Sequence, residues 1–117
     1  MSEAKLQREI REALGAKARH ARLLRNNSGV AFHADGSRVV YGVGSPGGSD
    51  LLGWTSITVT PSMVGRKIAI FTAAEIKTAA GRVSADQQNF IDAVKSAGGL
   101  AAVVRSADEA LRLVGAK

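Results

Sequence analysis

A chain of 117 residues with 45% apolar content has room for one domain with a real core, which excludes both a two-core protein and a disordered tail. Only 4% of the residues are aromatic, so that core falls to Val, Ile, Leu and Ala. Sixteen Lys and Arg against ten Asp and Glu leave a net charge of +6, which favours a polyanionic partner, most often nucleic acid. The absence of cysteine removes disulfides, thiolate metal sites and cysteine nucleophiles together. A metal would have to be held by oxygen ligands or by the two histidines, and oxygen ligands point to Mg²⁺ or Mn²⁺. No signal-like apolar segment and no bilayer-length run is present, so a soluble, cytoplasmic chain without a membrane partner is expected.

In chain order, Ser2 caps a first helix whose apolar stripe is Leu6, Ile10 and Leu14, with Gly15 as its expected stop. A short strand is expected over Ala21 to Arg25, followed by the turn residues Asn26 to Gly29. Two extended runs, Val30 to Ala34 and Ser37 to Val43, flank Asp35-Gly36 and read as a hairpin. Gly42 to Asp50 is a glycine-rich loop, followed by Leu51, Leu52 and a β-rich run from Ile57 to Thr60. Lys67 to Lys77 is the clearest strand by composition. Ser84 caps a second helix that stops at Gly98-Gly99, with Phe90, Ile91 and Val94 on its apolar face. Leu100 to Val104 is a short buried strand, and Ser106 to Glu109 forms a capping box for a last helix ending near Val114. The class is α/β with a mixed sheet, in which a strand, a crossover helix and a strand suggest a parallel pair.

Side chains alternate along a strand, so Glu75 and Lys77 share a face and Ile76 points to the other. A carboxylate beside an ammonium suits phosphodiester hydrolysis, in which the acid binds a divalent metal and the lysine orients the nucleophile or stabilises phosphate charge. Asp50 offers a second carboxylate where the glycine-rich loop meets an apolar run. Glu3 falls on the stripe of Leu6, Ile10 and Leu14 and is the best helical carboxylate for a metal site, although in a first turn it equally suits the helix dipole. Gln87 precedes Phe90, Ile91 and Val94 on the inward face, yet it also completes a Ser84-x-x-Gln87 capping box. Glu-x-Lys on a strand is in most cases a surface ion pair, and His20 and His33 read as surface or structural. No serine elbow and no Walker A pattern is present.

Gly48-Ser49-Asp50-Leu51-Leu52-Gly53, Ala74-Glu75-Ile76-Lys77-Thr78, Gly81 to Gln87 and Gly98-Gly99, with Glu3 to Gln7 at the start, resemble the PD-(D/E)XK nuclease superfamily. They resemble more closely its virus-type replication-repair nuclease family, the VRR-NUC domain. The likeness covers nearly the whole chain as one domain, 1–117. It implies a mixed β-sheet flanked by helices in the order α-β-β-β-α-β-α. It implies a Mg²⁺ or Mn²⁺ site formed by Glu3, Asp50, Glu75 and the backbone carbonyl of Ile76. Asp50, Glu75 and Lys77 would be catalytic, with Gln87 supporting them. Ser49 stands where the family commonly has proline, which affects loop stiffness more than chemistry.

Stand-alone members resemble dimeric phage or bacterial endonucleases that act on branched DNA such as Holliday junctions. Candidate phosphate contacts are Arg22, Arg25, Arg66 and Arg82, with Lys17 and Arg19 nearby in the chain. The competing readings are a basic DNA-binding module without a working metal centre and a subunit-interaction protein that binds no DNA.

Overall fold

A computed structural model describes residues 2–116. The chain divides into two compact units, Met1–Thr55 and Ser56–Lys117. Three helices and six strands are formed among the described residues, and no helix is long and apolar enough to cross a membrane.

In the first unit, helix α1 spans Glu3–Lys17, and the Ser2 hydroxyl accepts from the Lys5 N–H at 3.1 Å. Gly15 does not stop the helix. It lies inside the last turn, and the helix closes at Ala18, whose N–H donates to Leu14 O at 2.9 Å. The expected stripe is only partly covered: Leu14 is half-buried, while Leu6 and Ile10 stay exposed.

Strand β1 (Ala21–Arg25) pairs antiparallel with β4 (Leu51–Thr55), and Arg25 lies opposite Leu51. Strands β2 (Gly29–Phe32) and β3 (Arg38–Tyr41) form the hairpin expected around Asp35-Gly36. Gly36 has φ +85°, and Asp35 Oδ1 accepts from the Ser37 N–H at 2.8 Å. The Ser37 side chain, and then its backbone N–H, hold the Asp35 carboxyl below its ordinary value.

In the second unit, Pro61–Met63 forms one 3₁₀ turn. Strand β5 (Thr72–Ile76) pairs in parallel with β6 (Leu100–Val104). Helix α2 (Ala85–Ser96) crosses between them and packs on both strands, and α3 (Ala107–Leu113) packs on β6. Ile91 and Val94 of α2 meet Ala101 and Val104 of β6 as the buried core, with Val94 only 1% exposed. Ser106 caps α3 by accepting from Glu109 N, but the return arm of the expected box goes elsewhere: Glu109 Oε2 accepts from the N–H of Arg105.

The α/β class holds, but five strands rather than three precede α2, and the sheet consists of three separate two-stranded pairs. Ile57 to Thr60 forms no strand. The strand expected from Lys67 begins only at Thr72, because its partner begins at Leu100, directly after the turn at Gly98 (φ +99°). Without a ladder partner, Lys67 to Ile70 remain exposed.

Candidate active site

Strand β5 presents Glu75 and Lys77 as half-buried neighbours on one face, while Ile76 between them is 79% exposed. Lys77 lies one residue past the strand but stays tied to the ladder, since its N–H donates to Val104 O at 3.1 Å. Its Nζ lies 3.7 Å from Glu75 Oε1. Gln87, in the first turn of α2, donates from Nε2 to the same oxygen at 2.8 Å.

Gln87 thus makes both the cap and a contact to Glu75. Its Oε1 accepts from Ser84 N at 3.0 Å, and its own N–H donates to Ser84 Oγ at 3.1 Å, which completes the capping box. One end of the amide caps the helix and the other holds the carboxylate. Both contacts on Glu75 fall on Oε1, so Oε2 is the oxygen left for a further partner.

The parallel register adds a backbone group. Leu100 N donates to Phe71 O at 2.9 Å, and Lys77 N donates to Val104 O. In a parallel ladder, alternate residues turn both peptide groups toward the neighbouring strand. Ala73, Glu75 and Lys77 face β6 in this way, so the Ile76 carbonyl points to the open edge of β5.

Asp50 belongs to the first unit and immediately precedes β4, with its side chain exposed. Its loop is held by Asn26, a residue the sequence reading passed over as turn chemistry. Asn26 Nδ2 donates to Val43 O (2.8 Å) and Ser49 O (3.0 Å), and its Oδ1 accepts from Val43 N (2.9 Å). The Asn26 N–H donates to Asp50 O at 2.8 Å. Within the loop, Gly48 can only be glycine, because a Cβ there would sit 2.0 Å from Val43 O. The only sequence signal for Asn26 is an amide, both donor and acceptor, at the end of a strand; its partners are 17 and 23 residues away.

Arg105 was likewise missed. Its Nη1 donates to the carbonyls of Thr78 and Gly81, pinning the turn that follows Lys77. Glu3 is exposed in the first turn of α1. Among the described residues, no three acidic or histidine side chains form a group that could hold a metal ion. Arg22, Arg25, Arg66 and Arg82 are all exposed, as are His20 and His33.

The family model of the VRR-NUC domain matches residues 3–108. The chain belongs to the VRR-NUC family. That makes it a member of a nuclease family, and the match runs through both compact units. No curated protein and no solved structure matched it. In this VRR-NUC chain, the Glu-x-Lys pair and the Ser-x-x-Gln box of the sequence meet at one carboxylate oxygen.

Proposed function

We propose that this VRR-NUC chain is a Mg²⁺- or Mn²⁺-dependent endodeoxyribonuclease, a single PD-(D/E)XK-type domain with Asp50, Glu75 and Lys77 as its catalytic groups. The observation that carries the reading is the array on β5 and α2, in which Gln87 Nε2 and Lys77 Nζ both address Glu75 Oε1, at 2.8 and 3.7 Å.

The donor chemistry suits a hard divalent ion. Glu75 Oε2, the Ile76 carbonyl and the carboxylates of Asp50 and Glu3 are all oxygens, and no thiol is present to favour a softer metal. When bound, such an ion lowers the pKa of water and neutralises phosphate charge. The protein groups do the rest. Gln87 fixes the rotamer of Glu75, so the carboxylate needs no reorganisation during reaction. Lys77, with an ammonium on the same face, orients the attacking water or stabilises the charge that builds on the phosphate. Asp50 would add the second carboxylate; the loop before it is held closed by Asn26.

The reading extends to branched DNA. A homodimer would place two such sites about a two-fold axis and give paired cuts in a four-way, Holliday-type junction. The family resemblance supports this extension.

The test is a panel of labelled linear, flap and four-way DNAs incubated with Mg²⁺, Mn²⁺ or EDTA. Cleavage is expected with either ion and none with EDTA, and paired nicks in the four-way substrate. Asp50→Asn, Glu75→Gln and Lys77→Ala should each abolish cleavage with an unchanged circular dichroism spectrum. Persistent cleavage by all three variants sinks the assignment. Salt-sensitive DNA binding with no cleavage of any substrate turns the choice to the non-catalytic DNA-binding module.

A further inference from the structure

We propose that the cleft between α1 and β1 is a subsite for a phosphodiester of the DNA backbone, gripped by Arg8, Arg11 and Arg22. The proposal rests on the reading of DNA as the partner and adds a place where the strand is held. The cleft lies wholly within the first unit and has a volume of about 370 Å³. Its lining residues include three arginines from two different elements and one acid, Glu12.

Arg8 and Arg11 are three residues apart on α1 and so share a face. Arg8 and Glu12 have the spacing of an intrahelical ion pair, in its weaker orientation, and do not form one. Arg22 reaches the cleft from β1, and its guanidinium lies 5.5 Å from the ring centroid of Trp54, its cross-strand partner. Stacking restricts the side chain before any ligand arrives, so less freedom is lost on binding. Guanidinium forks match the paired oxygens of a phosphodiester. Such a grip ignores base identity, which suits an enzyme that reads DNA shape.

Gly15 supplies a clean probe. It borders the cleft, and beyond its own stretch of helix backbone nothing lies within 4 Å of where its Cβ would be. It sits inside α1, where any other residue except proline favours the helix. Side chains introduced there should place their charge at the cleft's border without disturbing the fold.

The experiment measures binding of labelled linear and four-way DNA in EDTA, so it is independent of cleavage, across a salt series. Gly15→Lys should bind more tightly than Gly15→Gln, and Gly15→Glu about tenfold more weakly. The double variant Arg8→Gln, Arg11→Gln should lower the slope of log K against log salt by about 1 to 2. Arg112→Gln, on α3, changes the charge elsewhere and should leave the slope at the wild-type value. Equal affinities for the Lys, Gln and Glu variants, or an unchanged slope for the double variant, overturn the subsite while leaving the nuclease reading intact. A wild-type chain that binds neither DNA overturns both.

Discussion

Gln87 divides one amide between two tasks, and two substitutions separate them. Ser84→Ala removes the acceptor for the Gln87 N–H and leaves the bond to Glu75 in place. It should cost about 1 kcal/mol of stability, read from urea unfolding, with cleavage unchanged. Gln87→Glu does the reverse. A glutamate at this position still accepts from Ser84 N, but it turns an oxygen toward Glu75 in place of an N–H. Cleavage should fall by about 10²-fold, the effect of losing one well-placed donor. A Gln87→Glu variant with wild-type turnover would show that the contact to Glu75 has no part in the chemistry. At this scale much was legible beforehand. The period of two along β5 put Glu75 and Lys77 on one face, and the Ser84-x-x-Gln87 spacing announced the cap. That a single amide serves both groups was not legible, because the pairing depends on where α2 lies against β5.

At the scale of elements, the serine caps and the parallel crossover held, while the Gly15 stop and the long strand from Lys67 did not. Ser2, Ser84 and Ser106 each cap a helix by accepting from the N–H three residues on, which sequence spacing alone dictates. Strand length was misjudged at Lys67 to Phe71, because a β-rich run becomes a strand only where a partner lies alongside, and β6 has five residues. The loop carrying Asp50 tells the same story. Its latch is Asn26, whose three side-chain hydrogen bonds span the loop from Val43 to Ser49. Asn26→Ala should cost about 2 to 3 kcal/mol at roughly 1 kcal/mol per bond, measured by chemical denaturation, and should depress cleavage as Asp50 loses its support. Stability equal to wild type would mean that the latch carries no weight. The β2–β3 hairpin should respond to acid. The Asp35 carboxyl lies below its ordinary value of 3.8 in the folded chain, so its contribution is complete above that pH and is lost as the pH falls through the folded value. Following the Ser37 amide resonance through an acid titration checks this, and Asp35→Asn should flatten the response.

At the scale of the whole chain, the four buried apolar side chains among the described residues, Ile91, Val94, Ala101 and Val104, all belong to α2 and β6. Val94→Ala should therefore be among the costlier single changes, at about 2 kcal/mol by thermal or urea unfolding. The same crossover that buries Val94 carries Gln87 to Glu75, so damage to the core and loss of the carboxylate's support should appear together. Among its described residues the first unit has no side chain in that buried class, and α1 buries none of its fifteen residues. Resistance to local opening follows buried apolar contact, so amide deuteration in native buffer should be graded along the chain. β1 through β4 should take up label first, and α2 and β6 last. Asp50 lies in the first unit and Glu75 in the second, so, if cleavage needs both carboxylates as proposed, mild warming should silence it well before the second unit melts.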